Sequence, residues 1–301
     1  MPHPLLALKV DVDTYVGTRD GVPALVAILN RFDIRATFYF TLGPDNSGMA
    51  IRRIFTHRGF LRQLLRSGKP RGYTARTLFS GTLLPAPLIG AKLSQVIRNV
   101  AVAGHEVGIH GWDHVKWHDL LPWFPKPVTA MELGKASAAF ERIFHRRSRT
   151  TAAPGWTVSA DSLEVQDAMG LDYCSDARGT TPFYPILNGR RFATLQLPTT
   201  WPTMDELLER RGIDVNTVND HLLASLQPGL NVHTIRAELE GMSLRATFIN
   251  LLERLTAKGV NCITLGEAAA MAKRHSPSES ELQIGEIPGC IGNVAIQGET
   301  P

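Results

Sequence analysis

A hydrophobic stretch near the amino end, Leu5 to Val10, stops on two carboxylates, Asp11-Val12-Asp13. A short apolar run that ends abruptly on charge predicts a strand buried on both faces, feeding a polar loop. The next segments alternate helix and strand patterns. Gly21 to Phe32 carries apolar residues at helical spacing, with Asp20 as its expected N-cap. Ala36 to Thr41 is β-branched and aromatic and predicts a second strand. Lys92 to Ala103 and Val128 to Phe144 read as helices, as do Val215 to Leu226 and Ser243 to Ala257. Glu106–His110, Thr150–Ala153, Tyr173–Ser175, Ala193–Leu197, Leu230–Ile235 and Asn261–Leu265 read as strands. Strands alternating with helices predict an α/β fold with a mainly parallel sheet or barrel. Polar residues recur just after strand ends, at Asp11, Asp13, His110, Asp176, His233 and Arg236. That is the edge where α/β folds build their sites.

Composition agrees with a folded chain. Of 301 residues, 44% are hydrophobic and 20% charged, which excludes a mostly disordered polymer. The longest stretch without an ionised residue, Thr77 to Ala91, is interrupted by Pro85 and Pro87 and falls short of the ~18 residues of a spanning helix. No secretory leader is read at the amino end. Three scattered cysteines, Cys174, Cys262 and Cys290, suit a reducing compartment rather than a disulfide framework. Net charge is +4, but it is unevenly placed. Asn46 to His105 holds ten Lys/Arg and no Asp or Glu, leaving 22 basic and 28 acidic residues elsewhere. A basic insertion over residues 46–104 is therefore expected inside a catalytic domain spanning 1–274. Its charge predicts an anionic partner. From His275 the composition turns to Ser, Pro, Gly and Glu without periodicity, so 275–301 reads as a flexible tail.

The chemistry concentrates in two places. His110 and His114 stand four apart in HGWDH, and neutral imidazole ligates zinc and other transition ions. Asp11 and Asp13, two apart in an extended segment, point the same way and repel unless a cation or proton intervenes. One carboxylate with two histidines would leave a metal open coordination positions, as catalytic sites do, and would free the other carboxylate to act as a base.

These segments resemble a known family. LALKVDVDT, ATFYFTLGPDN and AGHEVGIHGWDH are similar to the polysaccharide deacetylase superfamily of metal-dependent carbohydrate deacetylases. DVDTYVGTRDGVP, GPDNSG, AAPGW, SDARG, QLPTTWPTMDE and AELEG resemble its deformylase branch, which acts on undecaprenyl-phosphate-linked 4-deoxy-4-formamido-L-arabinose in lipid A modification. The resemblance covers about Leu5 to Met271. It implies a distorted (β/α) barrel and a divalent metal (zinc, manganese, cobalt or nickel) on Asp13, His110 and His114, with Asp11 as general base. It also implies a polyprenyl-phosphate-linked amino sugar as substrate. The place of action would be peripheral, at the cytoplasmic face of a bacterial inner membrane.

Two departures stand out. The superfamily places an Arg ahead of its third-motif Pro, where this chain has Ala152; Arg178 is a candidate replacement, with Asp176 orienting a catalytic partner. Against this, Asp176 and Arg178 read equally well as a local surface pair. The family's late catalytic His falls on Arg236, and Arg is a poor general acid. Either His233, three residues earlier and on the opposite face of a regular strand, supplies the proton through a bulge, or Arg236 stabilises the oxyanion. Loss of activity is the third outcome. Glu238 and Glu240 read as sugar contacts or solvated groups. His105 reads as structural, and Trp112 and Asp113 as packing or capping residues. The other readings are a deacetylase for another glycan, a metal-dependent glycosyltransferase using Asp-x-Asp, and a glycolipid-binding module with a degenerate site. The basic interval has no interleaved aromatic platform, so nucleic acid is not an expected partner.

Overall fold

Eleven strands succeed one another in the computed structural model, which describes residues 4–52, 85–290 and 292–299. They are β1 (Leu5–Val12), β2 (Thr37–Phe40), β3 (Glu106–Ile109), β4 (Thr150–Thr151), β5 (Tyr173–Cys174), β6 (Phe183–Leu187), β7 (Arg190–Arg191), β8 (Leu230–Arg236), β9 (Asn261–Ile263), β10 (Ser278–Glu286) and β11 (Asn293–Gln297). Seven form a wholly parallel sheet in the order β5-β4-β3-β2-β1-β8, with β9 also on β1, curled into part of a barrel.

β1 is the spine of this sheet, and its alternation sorts the molecule into two cores. Leu6, Leu8, Val10 and Val12 pack outward in one core with Leu25, Phe38, Phe40 and Phe248. Ala7 sits on the inner side with Tyr39, Tyr173 and Leu197, and Lys9 and Asp11 share its parity. The helices Val22–Arg31, Ser94–Val102, Lys126–Phe144, Ala160–Met169 and Arg245–Ala257 cross between parallel strands, as βα alternation requires.

Three expectations need adjusting. Asp20 is not an N-cap. A π-helical turn over Gly17–Gly21 runs straight into Val22–Arg31, so the first amides already have upstream carbonyls, and Asp20 pairs with Arg19 instead. Ala193–Leu197 is not a regular strand. Gln196 bridges β5 and β6, so this segment stitches the parallel sheet to a second one.

The described part of the segment expected as a flexible tail, 275–290 and 292–299, is ordered into strands. β10 pairs with β6 and β11 with β10, forming a four-stranded sheet in the order β11-β10-β6-β7. Only Ser280 and Leu282 are buried in β10 and only Val294 and Ala295 in β11, so no hydrophobic periodicity marks the segment. The segment also locks the loop after β5, since Arg178 N donates to Ala295 O and Gln297 N to Arg178 O.

The basic interval is described only at its ends. Its residues Pro87 and Ile89 lie against the chain just before its start: Asp45 N donates to Pro87 O and Ile89 N to Gly43 O. The chain thus leaves and returns at one place, and Ile89, Ile97 and Val100 then return to the core. Arg53, Arg58, Arg62, Arg66, Lys69, Arg71, Arg76 and the FSGTL segment lie outside the described residues. No helix among the described residues is long and apolar enough to cross a membrane.

Removing residues 275–301 is expected to lower the thermal unfolding midpoint markedly, because β6 loses its partner and Arg178 its backbone contacts. An unchanged midpoint in differential scanning calorimetry would show the segment to be dispensable.

Candidate active site

The C-terminal ends of β1, β3 and β8 converge on one cluster. His110 comes directly after β3, its amide donating to Phe40 O. Gly111 then takes φ +88°, a turn that most side chains resist, and Asp113 caps the helix His114–Leu120 by accepting from Lys116 N at 3.0 Å. Asn46 Nδ2 donates to the other Asp113 oxygen at 2.6 Å, tying one end of the basic interval to this cap. The cap sets His114 in the first helical turn, its ring 5.3 Å from that of His110.

Asp13, His110 and His114 present ligand atoms that all lie within 4.8 Å of one another. The donor chemistry tests whether they suit a cation. His110 Nδ1 lies 2.8 Å from Ala152 O, and a carbonyl only accepts, so the proton is on Nδ1. His110 Nε2 is then a lone pair facing Asp13 Oδ1 at 3.2 Å, with His114 Nε2 at 3.5 Å. Asp13 Oδ1 is buried without a hydrogen-bond donor. Convergent lone pairs of this kind fit a divalent ion, and a second-shell carbonyl fixing the histidine tautomer is the usual support for one. Burial works against ionisation of Asp13, whereas protonated His114 and His110 would hold its carboxyl far below the ordinary range.

Asp11 stands beside this group without joining it. Its Oδ1 lies 3.9 Å from His110 Nδ1 and has no hydrogen-bond partner. Its Oδ2 lies 3.4 Å from Lys9 Nζ. Lys9 escaped the sequence reading: it sits inside the stretch taken as apolar, yet it is fully buried. Arg178, the candidate replacement for the superfamily's third-motif Arg, does not pair with Asp11. It is buried against Glu206 at 2.5 Å and Trp201 O at 2.9 Å, with its guanidinium over the Trp156 ring. Nor does it pair with Asp176 on the surface. Asp176 is buried and accepts from Ala153 N at 2.6 Å, Gln166 at 2.9 Å and Gln196 at 3.2 Å. It therefore braces the turn whose Ala152 carbonyl orients His110.

β8 is regular to Arg236, so the bulge that His233 would need is absent. His233 pairs in register with Leu8, on the face away from Asp11, and packs its ring on Trp201. Burial, with Arg178 nearby, pushes its pKa down to about 3. Arg236, in register with Asp11, remains at the site. Its guanidinium pairs with Asp205, and its charge is felt by Asp13. Burial disfavours the Arg236 cation, but Asp205 and Asp13 keep its pKa well above even the ordinary arginine range.

Glu238 and Glu240 are buried rather than solvated. Glu238 Oε1 accepts from Asp13 N at 3.1 Å, Thr14 N at 2.8 Å and Thr14 Oγ1 at 2.9 Å, clamping the loop that carries Asp13. Burial, then the Asp13 charge, raises its pKa to about 8. Glu240 accepts from Arg236 N at 2.8 Å. His105 accepts from Ala36 N where β3 begins, and Trp112 packs on the outer core, both structural as expected.

Comparison with known proteins places this geometry. The family model described as polysaccharide deacetylase matches residues 2–174. A protein of Shewanella sediminis named as a probable 4-deoxy-4-formamido-L-arabinose-phosphoundecaprenol deformylase is 37% identical over 97% of this chain and 94% of its own. One of the same name from Wigglesworthia glossinidia brevipalpis is 31% identical over 94% and 98%. A crystal structure assigned as a polysaccharide deacetylase, from Mycobacterium smegmatis, superposes with a TM-score of 0.65 at 16% identity, covering 95% of this chain and 96% of that one.

Asp13→Ala and His114→Ala are expected to lose bound divalent metal by elemental analysis while keeping the parental circular dichroism spectrum. Retention of stoichiometric metal would remove these residues as ligands. For His233, the folded-state pKa of about 3 lies below the ordinary 6.5, so its neutral form is favoured in the fold. Its contribution to stability is complete above pH 6.5 and is lost as pH falls towards 3. His233→Leu is accordingly expected to flatten the loss of urea midpoint below pH 6.5 and to keep activity; a dead enzyme would restore His233 to the site.

Proposed function

The chain belongs to the polysaccharide deacetylase family, and from that premise we propose that it hydrolyses the formamide of an undecaprenyl-phosphate-linked 4-deoxy-4-formamido-L-arabinose. The observation that carries this reading is the Asp13–His110–His114 group with Asp11 Oδ1 unengaged beside it. The formyl group and lipid-linked sugar come from the names of the relatives at 37% and 31% identity, which match nearly the whole chain.

Asp13, His110 and His114 would hold a divalent cation such as zinc, manganese, cobalt or nickel, which would supply Lewis acidity to the formyl carbonyl. The rest is this chain's own work. Asp11 Oδ1 takes a proton from the attacking water, whose oxygen joins the formyl carbon. The C–N bond breaks, formate leaves, and the amine takes its proton from solvent or from the carboxyl that Asp11 has become. Arg236, a fixed cation in register with Asp11, stabilises the negative charge that develops on the carbonyl oxygen. It does not donate the proton, because its partners hold it charged.

Asp205 keeps Arg236 pointed at the site. Pro87 and Ile89 of the basic interval lie against Asp45 and Gly43, next to Asn46 and hence to the Asp113 cap. Its charge suits the substrate phosphate and the anionic inner leaflet, which supports a peripheral place of action. Salt-sensitive co-sedimentation with anionic liposomes is expected; indifference to salt would remove the membrane contact.

The test of activity is formate release from the lipid-linked formamido sugar. Asp11→Asn is expected to lower kcat on the order of 1,000-fold, to a residual rate that can still be measured, with metal retained. Arg236→Ala should lower kcat on the order of 100-fold, the cost of losing one oxyanion donor. Arg236→His should not exceed the parent. A faster histidine variant would mean that the site lacks an acid it needs, and release of acetate from an acetamido analogue at the same rate would replace the formyl assignment.

A further inference from the structure

Lys9 occupies a place where an ammonium group is costly. It lies on β1, between the two cores, with no exposed surface. An isolated buried cation is unstable unless its charge and donors are met. The charges of Asp11 and, at longer range, Asp176 favour it, and nearer groups hold it. Nζ lies 3.4 Å from Asp11 Oδ2 and donates to Ser175 O at 3.1 Å, and it stands 5.2 Å from the centre of the Trp156 ring. Ser175 comes directly after β5, and Trp156 closes the turn after β4, so the ammonium is gripped from two further elements of the sheet.

The consequence falls on Asp11. Lys9 and Asp11 are two apart on one strand, so their side chains share a face by construction. The ammonium engages Oδ2 only. Oδ1 is left buried and without a hydrogen-bond partner, on the side of His110. Among the described ion pairs, Lys9 is the sole Lys or Arg within reach of this carboxylate. Arg178 is held by Glu206, and Arg236 by Asp205. A carboxylate anchored by one oxygen cannot swing onto the cation site, and its free oxygen is aimed.

We propose that Lys9 is the positioning residue of the hydrolytic site, a buried ammonium clamping Asp11 Oδ2 so that Oδ1 alone meets the attacking water. The proposal rests on Asp11 being the base, and its test separates the two. Lys9→Met keeps the length and removes the charge; Lys9→Arg keeps the charge.

The expected result for Lys9→Met is a fall in kcat of about 100-fold, as for a misplaced reacting group, with KM and metal content within about twofold of the parent. Lys9→Arg should recover most of the loss. Lys9→Met added to Asp11→Asn should cost nothing further, because there is no base left to position. A Lys9→Met enzyme at parental kcat overturns the proposal, as does a loss that is additive with Asp11→Asn. If Lys9→Met does not fold by circular dichroism, Lys9→Arg decides: near-parental kcat upholds the charge clamp, and a folded but inactive enzyme overturns it. Failure of the underlying reading looks different, for then Asp11→Asn itself stays active.

Discussion

The structure turns on a charge pair buried where a parallel sheet would ordinarily place only apolar side chains. Lys9 and Asp11 lie on the most extensively paired strand of the sheet, and neither can leave without stranding the other in a low-dielectric interior. Such a pair adds little net stability. What it fixes is direction. One face of β1 holds the outer core together through Leu6, Leu8, Val10 and Val12, while the other presents Lys9, Asp11 and then Asp13 in a line towards the site. The same pleat that builds the fold therefore aligns the chemistry.

Around this line, buried carboxylates act as struts. Asp176 holds the Ala153 amide, and the neighbouring Ala152 carbonyl holds His110 Nδ1, which turns Nε2 towards Asp13. Glu238 holds the amides of Asp13 and Thr14 from the far side. Glu240 holds the Arg236 amide, and Asp205 its guanidinium. His110, Asp13 and Arg236 are thus each fixed by a neighbour from another element, an arrangement that keeps a cluster rigid.

Much of this was legible in the sequence, for reasons that differ by residue. Asp13, His110 and His114 were readable because short spacings put them on strand and helix ends, where geometry is local. The first βαβ unit was readable because β1 and β2 are buried, largely apolar or aromatic runs and the helix between them is amphipathic. The parity of a regular strand already counted against His233, and β8 proved regular. Lys9 was not readable: one lysine in an apolar run is equally consistent with an edge strand, and only the packing of β5 and the Trp156 turn around it reveals burial. Arg178 misled for a related reason. It stands two residues from Asp176 in sequence, yet the chain after β5 turns to pair with β11, carrying the guanidinium to Glu206. The strands β10 and β11 bury few and small residues, so their partner β6, rather than their own pattern, determines that they form.

The most direct test of the division of labour between the two carboxylates is a crystal structure of the protein loaded with a divalent metal. It should show one ion on Asp13 Oδ1, His110 Nε2 and His114 Nε2, with Asp11 outside the coordination shell and still in contact with Lys9. An ion coordinated by Asp11, with the Lys9 contact broken, would contradict that division.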